Sequence, residues 1–137
     1  MLMGNFDREM RDAHHALIPY FKGMQALPEQ QSQEFDAIRL HLRFVLNHYE
    51  FISAGIRRGD IDEHLVLDAE RGTILNAYEH SEKFIFAVRN SRRNQALYEH
   101  LEWLHNRWEK KPPRWVSTLY ERMKGSPIHG KRNDVRD

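Results

Sequence analysis

Nine histidines in a chain of 137 residues invite a metal reading. Two of them follow a carboxylate by three positions, in Asp12-x-x-His15 and Glu102-x-x-His105, the spacing by which di-metal helical bundles aim two ligands from one helix into a core. The second pair fails on geometry, because Glu102 lies about 120° from the apolar seam of its own segment and should face solvent. There is no His-Glu-x-x-His zinc motif. The absence of cysteine removes thiolate sites, disulfides and sulfur nucleophiles. Ser32, Ser53, Ser81, Ser91, Ser117 and Ser126 stand in no nucleophile-elbow or lactamase-like context, and no glycine-rich phosphate loop occurs. Glu50 and His48 would have to meet from different flanks of one helix to act as an acid–base pair. The plainer reading is that Glu50 pairs with an arginine of a neighbouring helix. We expect no catalysis, no metal and no cofactor.

The elements that must position these residues are helices. In the stretch Gln33 to Leu67, Phe35, Ile38, Leu42, Val45, Leu46, Tyr49, Ile52 and Ile56 fall within about 120° of arc at the helical period, which is a core stripe. Ala37, Leu40, Phe44 and Phe51 form a second stripe roughly opposite, so this helix, about residues 30–58, is expected to be central and covered on two sides, by the chain's own helices or by another copy of the chain. Arg57, Arg58 and Gly59 end it, the cations opposing the helix dipole and the glycine free to turn left-handed. Asp60 then reads as the N-cap of the next helix, with Glu63 three positions on completing a capping-box pattern. Arg58-Gly59-Asp60 spells an adhesion tripeptide, here read as a helix corner.

Before this segment, a helix is expected from Phe6 to about Gln25, kinked or ended by Pro19, with Met1 to Asn5 frayed. Leu27-Pro28 is a break, and Pro28 or a neighbour opens the central helix. After it, Leu67, Ile74, Tyr78 and Ile85, flanked by Val66, Ala77, Phe84 and Val88, define a third helix that Gly72 bends, loosens or splits. Arg89 to Asn94 reads as a polar turn. Asn94 is placed to cap a fourth helix whose seam is Leu97, Leu101, Leu104 and Trp108. Arg114 to Lys124, carrying Trp115, forms a short amphipathic helix, and Ser126 to Asp137 is left disordered. The fold class is all-α: a compact bundle of four to five helices in one domain, residues 1–125, with a basic tail, 126–137.

Asn47-x-x-Glu50-Phe51-Ile52-x-x-Gly55-Ile56-Arg57-x-Gly59-x-Ile61-Asp62, followed by Tyr98-Glu99-x-Leu101-x-x-Leu104-x-x-Arg107-Trp108, resembles the bacterial and phage family called domain of unknown function 4760, over about residues 35 to 108. Members often begin with a membrane helix, a pattern from which this chain departs. The resemblance implies a phage or prophage origin and no reaction, cofactor or catalytic residue.

Composition narrows the remaining classes. Hydrophobic residues at 40% and charged residues at 30% suit a globular domain that needs no staple. The longest early apolar run, Ala16 to Phe21, is too short for a signal or membrane segment, so a soluble cytoplasmic protein is expected. The net charge of +1 hides a basic end, residues 111–137 holding seven Lys or Arg against three Asp or Glu. That tail carries the alternative reading, a weak nucleic-acid binder through the basic C-terminal region, with contact expected to be nonspecific because no aromatic–basic platform or recognition helix accompanies it. Trp103 lies off the seam of its helix, where it serves either an interface or packing beneath the Trp115 segment. The resulting expectation is a non-enzymatic interaction module that binds an unidentified protein partner or itself as a homodimer. Leu40, Phe44, Phe51, Trp103 and Trp115 are the candidate contacts. Asn47, Glu50, Gly55, Gly59, Asp60 and Glu63 are structural.

Overall fold

In a computed structural model, residues 2–110 are described, the side chains of 2–4 and 110 excepted. The described residues form four helices and no strand: α1 (Leu2–Phe21), α2 (Gln33–Arg58), α3 (Glu63–Arg92) and α4 (Glu99–Lys110). Residues 1–105 make one compact unit and 106–137 a second, of which only the end of α4 is described. The expected fifth helix with Trp115, the domain boundary at residue 125 and the basic tail lie outside the described residues.

Within the first unit α1, α2 and α3 pack against one another as a helical bundle. The first stripe of α2 is core: Phe35, Ile38, Leu42, Val45, Leu46, Tyr49 and Ile56 are buried, meeting Ala13 and Leu17 of α1 and Ile74, Tyr78 and Ile85 of α3 in a common interior. The second stripe is covered only in part by the chain's own helices. Phe44 is half-buried against Phe6 of α1, with ring centroids 5.5 Å apart, while Leu40 and Phe51 are 75% and 70% exposed. The same Phe6 contact explains why α1 begins at Leu2 instead of fraying to Asn5, since it anchors the first turns on α2. Pro19 stands inside the last turn of α1, which runs on only two residues past it, so the expected end near Ile18 falls instead at Phe21. Gly23, at φ 77°, closes it, its own amide donating to the Tyr20 carbonyl at 3.0 Å and that of Met24 to Pro19 at 2.9 Å. Ser32, not Pro28, opens α2, its hydroxyl accepting from the Phe35 amide at 3.1 Å.

The corner between α2 and α3 shows why Asp60 does not cap. Gly59, at φ 87°, takes the left-handed position, and the amides of Asp60 and Ile61 both donate to the Gly55 carbonyl, at 2.8 and 3.1 Å. Ile61 thereby folds back on α2, into space that only a glycine leaves: a Cβ on Gly55 would lie 2.7 Å from Ile61 Cγ1. Asp60 is spent on this reversal and pairs only with exposed Arg58, at 3.6 Å. The N-cap is Asp62, whose Oδ1 accepts from the His64 amide at 2.9 Å, and Glu63 is the first helical residue instead of a capping-box partner. Asp62→Ala is expected to cost about 0.5–2 kcal/mol of stability, whereas Asp60→Ala loses an exposed ion pair worth about 0–1 kcal/mol. Denaturant midpoints of the two variants compare them directly, and a larger loss at Asp60 would return the cap to that residue.

Helix α3 runs unbroken past exposed Gly72 and through the expected polar turn to Arg92, where Arg93 takes the left-handed cap at φ 52°. Arg89 belongs to the helix because its side chain is buried. Asn94 caps a tight turn, accepting from the Ala96 amide at 3.0 Å, and leaves α4 to begin five residues later. Leu97 falls in that turn, half-buried, and Leu101, Leu104 and Trp108 form the buried seam.

Candidate functional site

The polar groups of the first unit converge where α4 starts. Tyr98 immediately precedes the helix and adopts φ 61°, an uncommon conformation for a residue with a side chain. Its hydroxyl donates to Asn47 Oδ1 at 2.9 Å. One turn along α2, Glu50 accepts from the amides of His100 at 3.2 Å and Leu101 at 2.8 Å. Every helix leaves its first amides unsatisfied, and tyrosine in the capping position has no acceptor placed to serve them, so a carboxylate from another helix does. The partner of Glu50 is a helix N-terminus, in place of the arginine expected. The Asn47-x-x-Glu50 and Tyr98-Glu99 segments are thus the two halves of one clamp. Burial holds the Tyr98 hydroxyl above its usual range, opposed by Arg43, reinforced by Glu50 and opposed again by Arg92.

The same turn is gripped from α3. Arg89 Nε donates to the Leu97 carbonyl at 2.8 Å and Nη2 to Glu102 Oε1 at 2.9 Å. Glu102 therefore does not simply face solvent. Its helical neighbour His105 turns elsewhere, to Glu79 at 3.0 Å and over the Tyr78 ring at 4.6 Å. Burial, with Glu102 and Glu82 adding and Arg89 opposing, pushes the Tyr78 hydroxyl up to about 12. The Glu102-x-x-His105 spacing does not converge on one point, and Asp12 and His15 are both exposed on α1.

A third cluster joins α1 to α2. The Tyr49 hydroxyl lies 2.9 Å from His14 Nε2, and His48 packs beside Tyr49 and Phe6. Burial lowers both histidines, against Glu70 for His14 and together with His14 for His48, and it raises Tyr49 well above its ordinary value. All three groups are therefore neutral near pH 7, a core arrangement in which His48 and Glu50 do not meet. Among the serines, Ser53 Oγ donates to the Tyr49 carbonyl at 2.7 Å, and Ser81 Oγ is buried without a hydrogen-bond partner among the described residues. Neither stands beside a base.

The interface candidates separate. Trp103 is half-buried with the Arg57 guanidinium 5.1 Å from its ring centroid, and Arg57 also approaches His100 Nδ1 at 3.4 Å. Leu40 and Phe51 share one line of α2, eleven residues and about 16 Å apart. Leu40 and Phe44 also border a groove of about 540 Å³ against α1, whose wall carries Glu9 and Asp12. The clamp around Asn47, Glu50, Arg89 and Tyr98 is what reading the sequence missed. Asn47 and Glu50, three apart on α2, stand among other polar and charged residues of that helix, so their spacing alone did not single them out. No described helix is long and apolar enough to cross a membrane. Compared with known proteins, residues 1–108 match the family model described as Domain of unknown function (DUF4760). No curated protein and no solved structure matches the chain.

Proposed function

We propose that this chain, which belongs to the DUF4760 family, is a non-enzymatic helical interaction module that docks a protein partner, or a second copy of itself, on the outer line of α2. The observation that carries the reading is the pair Leu40 and Phe51, 75% and 70% exposed on one helix line. Isolated exposed apolar residues are ordinary on any surface. Two large ones in register on a single helix, with half-buried Phe44 between them and a groove beside Leu40 and Phe44, offer the spaced anchors by which helices recognise apolar surfaces. The polar residues that a catalytic reading would need are committed to holding α4 and the α1–α2 contact. The reading extends to a bacterial or phage-encoded protein, as the family resemblance implies, working in the cytoplasm, with whose reducing conditions the cysteine-free composition is compatible.

A second copy is the first partner to test. Light scattering of the full chain at micromolar concentration is expected to report a dimer, and the double variant Leu40→Glu, Phe51→Glu a folded monomer with unchanged helical circular dichroism. Should the wild type be monomeric, affinity capture from the host, compared with the same double variant, decides between partners. A captured set identical for both proteins would remove the outer line of α2 as the docking surface.

A further inference from the structure

We propose that the cleft between α2 and the C-terminal half of α3 binds a phosphomonoester carried on an aromatic body, the chemical class of mononucleotides. The cleft encloses about 440 Å³, within the range of small-molecule sites. One wall is a single ridge of α2, Phe35, Arg39, Arg43 and Asn47, every fourth residue. Facing it, α3 presents Phe84, Val88, Ser91 and Arg92, and Leu97 and Tyr98 close the inner end.

Charge selects the ligand's head. Three guanidiniums border the cleft from two helices, and only Arg39 has a carboxylate beside it, Asp36 at 3.2 Å. Among the described residues, Arg43 and Arg92 make no ion pair. The lining carboxylate, Glu50, is already spent on two backbone amides. Two cations are left over, and both act on the Tyr98 hydroxyl at the inner end of the cleft. A carboxylate would bring one negative charge against them, whereas a phosphomonoester brings about 1.5 to 2 at neutral pH and offers three oxygens to the arginine forks. Ser91 adds a hydroxyl on the same wall.

The rest of the cleft selects the body. Val88 and Leu97 line it half-buried, backed by the buried pair of Phe35 and Phe84 rings, 5.6 Å apart. A flat apolar group would lie on Val88 and Leu97 while its phosphate met the arginines. A polynucleotide would need a continuous basic track, whereas here three guanidiniums border one cleft of about 440 Å³.

The test is a titration of the full chain with adenosine monophosphate, followed by amide and arginine side-chain NMR. Inorganic phosphate and adenosine serve as the two half-ligands. Adenosine monophosphate is expected to give saturable shifts at Ser91, Arg92, Leu97 and Tyr98, inorganic phosphate weaker shifts at the same residues, and adenosine none at the arginines. R43Q and R92Q, both altering exposed side chains, are each expected to weaken binding by about tenfold or more while melting with the wild type. If one variant melts early, the other decides. Affinity unchanged in the correctly folded variants, shifts centred away from this cleft, or no saturable shift would overturn the proposal. Inorganic phosphate binding as tightly as the nucleotide would overturn the aromatic body.

Discussion

Replacing Glu50 by alanine is expected to lower the unfolding free energy by about 2–3 kcal/mol, more than an ordinary cap on the helix's own residue contributes. Its carboxylate accepts two amides at 3.2 and 2.8 Å from residues fifty positions away. It stands at the positive end of the α4 dipole, where a negative charge adds its own stabilisation. With alanine there, the His100 and Leu101 amides lose their acceptor, and Tyr98 has no side-chain oxygen placed to replace it. Glu50→Gln keeps a neutral acceptor and should lose about half as much. Chemical denaturation gives the loss. Amide exchange at His100 and Leu101 should accelerate in the alanine variant ahead of the amides in α2. Partner binding, corrected for folded fraction, should be nearly unchanged, because the role is structural. A wild-type denaturation midpoint with lost function would sink this account.

Helices were legible in the sequence because their evidence is periodic and local. The stripe from Phe35 to Ile56 is buried apart from half-buried Ile52, and Gly59 ends α2 in the left-handed conformation expected of it. What failed was choice among neighbours and partnership over distance. Asp60 and Asp62 are equal as capping residues by type. They are told apart by the return of Ile61 onto α2, and the only trace of that in sequence is Gly55, four residues before Gly59. The run Arg89 to Asn94 reads as solvated because a guanidinium is rarely buried. Arg89 is buried only because Leu97 and Glu102, eight and thirteen residues on, supply its acceptors. For Glu50 an arginine partner was expected, since side-chain types are visible in a sequence and unsatisfied backbone amides are not. The second stripe of α2 was visible as a pattern. Its exposure at Leu40 and Phe51 depended on how far the other helices reach.

Arg89→Ala is expected to be the more damaging of these two polar replacements, at about 2–4 kcal/mol. The Arg89 side chain is only 7% exposed and holds the turn before α4 by its carbonyl and α4 itself by Glu102. Removing a partner from a fully buried ion pair costs about 3–5 kcal/mol, but Glu102 is 37% exposed, so water recovers part of its loss and lowers the expected range to about 2–4 kcal/mol. Arg89→Lys should restore less than half: an ammonium on a flexible stem cannot reproduce a planar fork that serves Leu97 and Glu102 in two directions at once. A double-mutant cycle with Glu102→Gln separates the two contacts. A coupling of about 1–2 kcal/mol assigns that share to the ion pair, and the remainder belongs to the Leu97 carbonyl, which loses its donor in every variant lacking the guanidinium. Arg89→Ala at wild-type stability would mean that the turn before α4 holds itself, and Glu50 alone would then have to account for the docking of that helix's first turn.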